Sequence, residues 1–131
     1  RKAYFRKESG IMKGILIIAH GSREPETIKT MEEVFSIVQE KLSHVLMEQA
    51  YMEFCDVNLA KGLDKLVEQG ADDIVVVPYF LFSGIHIRED IPNEIEEYLS
   101  SHPSLKIRLG STLGADPRIA DVLCDRVREV L

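Results

Sequence analysis

The stretch DIVVVPYFLFSGIHIREDIP, Asp73–Pro92, decides how this chain is read. Its first half, DIVVVPYFLF (Asp73–Phe82), is a continuous apolar run rich in β-branched and aromatic residues. A run of that kind suits a strand buried on both faces, as in a parallel sheet. Pro78 belongs near the end of that strand, because a proline inside a central strand would remove a ladder hydrogen bond. Past it, apolar residues spill into a loop that carries His86, then two acids and Pro92. Asp90 reads as the N-cap of a helix with Pro92 in its first turn, continuing to about Ser101.

Working outward, GILIIAH (Gly14–His20) is a second buried-strand run, ending in a His-Gly-Ser turn. Ile28, Met31, Val34, Phe35, Val38 and Leu42 then recur at helical spacing, with Pro25 in the first turn. AYMEFCDV (Ala50–Val57) is expected as a strand interrupted by Glu53, and Leu59, Leu63, Leu66 and Val67 mark a helix stopped at Gly70. KIRLGST (Lys106–Thr112) is expected as the last strand. Asp116-Pro117 opens a final helix whose stripe is Ile119, Val122, Leu123, Val127 and Val130. The βαβαβαβα alternation predicts an α/β fold: a four-stranded parallel sheet in order 2-1-3-4, with right-handed crossovers and helices on both faces.

The bulk properties bound the partners. A chain of 131 residues, 45% hydrophobic and 29% charged, is expected to form one soluble domain. The first eleven residues do not join the pattern and read as an upstream extension or a cloning remnant, leaving residues 12–131 as the domain. A net charge of −6 argues against a nucleic-acid partner and requires local cations for any anionic ligand. No apolar run approaches the roughly 20 residues that span a bilayer, and no secretory leader is visible. Cys55 and Cys124 form neither a CxxC motif nor a disulfide framework, so a cytoplasmic location is expected.

Open parallel sheets bind ligands beyond the carboxyl ends of their strands, near the point where strand order reverses. His20, Glu53 and His86 all fall there. Two imidazoles and a carboxylate suit a first-row divalent metal. Each residue also has an ordinary structural explanation: a cap, a hydrogen-bonded turn, or a solvent-facing edge. For His44 and His102, in polar surroundings, the ordinary explanation is preferred. The apolar wall Tyr79–Phe82 exceeds what a strand end buries and suits a small-molecule pocket or a dimer contact. Phosphate handling at HGSRE is disfavoured, since the chain has no Gly-rich loop with a Walker-type lysine, and Cys55 has no base to activate it as a nucleophile.

GILIIAHGSRE, YMEF and VVVPYFLFSGIHIREDIP together resemble the CbiX-type sirohydrochlorin cobaltochelatases, relatives of the sirohydrochlorin ferrochelatases. The resemblance covers Met12–Leu131. It implies an ATP-independent class II chelatase that inserts Co²⁺ or Fe²⁺ into sirohydrochlorin, on the route to cobalamin or sirohaem, with no permanently bound cofactor. Longer members carry two lobes in one chain, so a single lobe implies a homodimer. By matching positions, His20 and His86 would handle the metal, with Glu53 as the nearby carboxylate. The segment Tyr79, Phe80, Leu81, Phe82, Ser83 and Gly84 would receive the macrocycle, and Arg23 and Arg88 would pair with its carboxylates. The chemistry suits these side chains, because metal insertion displaces two pyrrole protons and neutral histidines can present a metal and accept protons. A non-catalytic carrier of metal or tetrapyrrole using the same pocket is the alternative.

Overall fold

A computed structural model describes residues 10–131, apart from the side chain of His86; the reading of residues 1–11 as an extension lies outside them over residues 1–9. The strands are β1 (Lys13–Ala19), β2 (Leu46–Tyr51), β3 (Asp73–Pro78) and β4 (Lys106–Leu109). The helices are α1 (Pro25–Lys41), α2 (Leu59–Glu68), α3 (Ile91–Ser101) and α4 (Pro117–Arg128). All three strand pairings are parallel, in the order β2-β1-β3-β4, as expected from the alternation. Strand order reverses between β1 and β3, and their carboxyl ends lie side by side, with Ile18 opposite Pro78.

Two cores sandwich this sheet. On one face, Leu16 and Ile18 of β1 and Ile74 and Val76 of β3 pack against Leu63 and Leu66 of α2 and Ile91 and Ile95 of α3. On the other, Met31 and Phe35 of α1 meet Met47 and Tyr51 of β2 and Ala19 of β1. Gly62 lets α2 approach closely: an added Cβ would stand 2.7 Å from a Leu16 methyl. Asn58 caps α2, accepting from the Lys61 amide, and Gly70 reverses the chain at φ 99°.

Four boundaries depart from expectation. β2 begins at Leu46 and ends at Tyr51, because the chain bends over residues 52–56 and Phe54 takes φ 64°. Glu53 therefore lies beyond the strand rather than in it. β3 stops at Pro78, which ends the ladder, although the Tyr79 amide still donates to the Ile18 carbonyl. β4 ends at Leu109, short of Thr112. Asp90 is helical (φ −66°, ψ −47°) and caps nothing, because a π-helical segment, His86–Asp90, runs straight into α3. Asp116 does cap α4, through the Arg118 amide.

His102 is structural, as expected: its ring stacks on Tyr98 at 4.1 Å and its Nδ1 meets the Tyr98 carbonyl. The Tyr98 hydroxyl donates to Asp64 at 2.6 Å, tying α3 to α2, and burial and this bond push its pKa up. Tyr98→Phe is expected to cost about 1–2 kcal/mol, the range for a bond to a carboxylate in a partly buried site. Urea denaturation checks it; an unchanged midpoint would show that the bond contributes nothing.

Candidate active site

The site is built at the carboxyl end of β1, where His20 leaves the sheet. Two backbone bonds carry the β1–β2 pairing past the end of β2: the Met52 amide donates to the Ala19 carbonyl and the Glu53 amide to the His20 carbonyl. They hold His20 and Glu53 side by side although the residues lie on different segments. Gly21, at φ 94°, turns the chain sharply enough that a Cβ would collide with the Glu53 carbonyl oxygen. The His20 Nδ1 and Glu53 Oε1 atoms stand 4.0 Å apart, with both side chains more than half exposed. On its other side the His20 ring stacks against Phe80, centroids 5.1 Å apart.

His20 thus separates two recesses of about 400 Å³ each. One is polar, lined by Met52, Glu53, Asp90, Asn93 and Glu94. The other is an apolar shelf made by Tyr79, Phe80, Leu81, Phe82, Gly84 and Ile87. Phe82 is 80% exposed on that shelf, far more than a strand end needs, so the surface is open to a flat apolar ligand. Gly84 accepts from the Ile87 and Arg88 amides and so starts the π-helical segment, while Ile87 anchors it in the core. Widened turns of this type concentrate at functional sites.

The expected residues divide as follows. His20, Glu53, Tyr79, Phe80, Leu81, Phe82 and Gly84 line the two recesses. Ser83 is exposed and lines neither. Arg23 lies over the Phe54 ring at 4.5 Å, a cation–π contact that fixes the bend after β2. Arg88 is exposed on the π-helical segment outside both linings. His86 opens that segment, and its side chain lies outside the described residues. Among the described residues no three His, Cys, Asp or Glu side chains form a closed metal cage.

Sequence reasoning missed the polar wall. Asp90, Asn93 and Glu94 are presented by the start of α3, and the four-residue spacing of Asp90 and Glu94 was the available signal. Burial in the recess, then Asp90 and Glu97, lift the Glu94 carboxyl above its ordinary value. The folded state therefore holds that proton more tightly than the unfolded chain does. The associated stability is complete below the unfolded pKa and is lost as pH rises through the folded one. Glu94→Gln is expected to melt higher than the parent near neutral pH, with the gain vanishing below about pH 3.5. Melting curves across that range check it, and a gain independent of pH would refute the assignment.

An open parallel lobe whose imidazole–carboxylate pair divides an acidic recess from an aromatic shelf has the build of a chelatase lobe. The chain belongs to the CbiX family, whose model matches residues 14–130. It is 31% identical to the sirohydrochlorin cobaltochelatase of Methanopyrus kandleri over 92% of this chain and 98% of that one. It is 30% identical to the sirohydrochlorin ferrochelatase of Priestia megaterium over 94% of this chain but 46% of that one. The crystal structure of the sirohydrochlorin chelatase SirB from Bacillus subtilis subspecies spizizenii, in complex with cobalt, superposes with a TM-score of 0.87. That match is 28% identical and covers 92% of this chain and 51% of that one. The chain thus spans nearly the whole of one relative and about half of the longer ones. Among the described residues, no helix is long and apolar enough to cross a membrane.

Proposed function

We propose that this protein inserts Co²⁺ or Fe²⁺, as metal substrate, into sirohydrochlorin without ATP, and that it works as a homodimer. The observation that carries the reading is the position of His20, shared by the acidic recess and the apolar shelf. The macrocycle lies on Tyr79–Phe82, where its flat face replaces water over exposed aromatic surface. Glu53, Asp90 and Glu94 attract the hydrated cation to the other side of the imidazole. His20 and His86 present the metal to the ring, and the imidazoles and Glu53 take up the two pyrrole protons that the metal displaces. An open site suits this, because a closed four-ligand cage would retain the ion. Arg23 and Arg88 are assigned to the carboxylates at the rim of the macrocycle.

The test is anaerobic mixing of protein with sirohydrochlorin and Co²⁺, and separately Fe²⁺, following macrocycle absorbance against a no-protein control. Multiple turnovers at substoichiometric protein are expected. A spectral change that saturates at one equivalent with no acceleration would replace the enzyme with a carrier.

A further inference from the structure

Phe54, at φ 64°, is the one non-glycine residue with a positive φ among the described residues. A left-handed backbone crowds any β-carbon and is a genuine outlier for an aromatic residue. The strain falls one residue after Glu53, within the bend over residues 52–56. Such conformations persist only where the surroundings over-determine them, and they gather at functional sites.

The surroundings here are the two loops that carry the imidazole and the carboxylate. Three contacts join these loops. The Glu53 amide donates to the His20 carbonyl at 3.0 Å, the Cys55 thiol reaches the Ser22 carbonyl oxygen at 4.0 Å, and the Arg23 guanidinium lies 4.5 Å from the centre of the Phe54 ring. The Tyr51 amide, donating to the Val57 carbonyl at 2.8 Å, closes the base of the bend. The Phe54 ring itself is 52% exposed; it joins neither core and lines neither recess. Packing therefore does not explain it, and Arg23 does. A ring attracts a guanidinium without accepting from its N–H donors in the way a carboxylate does, so Arg23 keeps them for the rim carboxylate assigned above.

We propose that Phe54 is a positioning residue for Glu53: clasped by Arg23, it is held in the left-handed bend that keeps the carboxylate beside His20. This rests on the metal-insertion reading above and adds to it a residue outside both recesses. Without the clasp, a β-carbon at position 54 drives the backbone back toward the ordinary regions of φ, and Glu53 leaves the imidazole. A glycine accepts the bend unaided. The side chain therefore matters in an inverted order, in which truncation to a methyl harms more than complete removal.

Phe54→Ala deletes the clasp and keeps the strain. It is expected to lower kcat for metal insertion roughly tenfold and to speed hydrogen exchange of the Glu53 amide by a similar factor, the scale set by one left-handed residue. Phe54→Gly deletes clasp and strain together and is expected to regain most of the rate. Phe54→Tyr keeps the ring and is expected to match the parent. In a Glu53→Gln background, Phe54→Ala is expected to slow the enzyme no further, because the residue acts through that carboxylate. A glycine variant no faster than the alanine one would mean that the ring acts through its own contacts, and would overturn the proposal. So would an alanine variant at the parent rate, a tyrosine variant as slow as alanine, or an alanine penalty undiminished beside Glu53→Gln. Faster exchange throughout the sheet in Phe54→Ala would make the residue a fold element and overturn it as well. A parent without turnover would remove the chelatase reading, and the order of Glu53 amide exchange, alanine fastest, would still decide the clasp.

Discussion

His20→Ala is expected to lower the rate of metal insertion by roughly 10²–10⁴-fold, the range associated with loss of a positioned acid–base group, while leaving macrocycle affinity within a few-fold. The side chain is 63% exposed, so its removal leaves no cavity and the fold should persist. Its position gives it two separable contributions: nitrogen facing Glu53 and an aromatic face on Phe80. His20→Phe keeps an aromatic ring for the stack and deletes the nitrogens. If His20 works through nitrogen, the phenylalanine variant is as slow as the alanine one while binding sirohydrochlorin normally. Recovery of turnover by His20→Phe would reduce the histidine to a packing element of the shelf. His86→Ala in the same assay is expected to abolish insertion, and wild-type turnover by either alanine variant would take that histidine out of the mechanism.

The legibility of this site followed from topology. Buried-strand runs ending at His20 and before His86 announced two parallel strands, and the rule for open sheets placed both residues at one end. β2 was harder to see. Glu48 and Gln49 break its apolar run, while MEF beyond it looks more strand-like than it is. Phe54 at φ 64° ends the strand in a way that no propensity would indicate, since aromatic residues favour extended backbone. The start of α3 misled for a related reason. An acid followed by proline is the usual sign of a capped helix, but the preceding residues are already helical with a wider period, so Asp90 turns toward the recess instead. The α4 stripe was legible as a pattern, and the structure adds that none of its residues is buried within the lobe. Periodicity reports that a helix face is apolar, not where that face packs.

Gly21→Ala is expected to be the most damaging single-methyl change at this end of the sheet. Two independent effects add. A left-handed φ of 94° is unfavourable for any residue with a Cβ, at about 1–3 kcal/mol. The new methyl would also drive into the Glu53 carbonyl, and a backbone oxygen cannot rotate away as a flexible side chain can. Relief requires the His20 turn and the bend after β2 to separate, which breaks the amide bond from Glu53 to the His20 carbonyl. The same movement takes Glu53 away from the imidazole, so insertion should fall at least tenfold even in molecules that remain folded. Gly84→Ala is the control. It also lies at the site, but its backbone is not left-handed and its added methyl meets nothing within 4 Å. Urea denaturation and turnover measured on both variants separate the explanations. Destabilisation and loss of rate confined to Gly21→Ala would establish that close contact at one glycine holds the imidazole and carboxylate together. Equal behaviour of the two variants would mean that the His20–Glu53 arrangement survives without it.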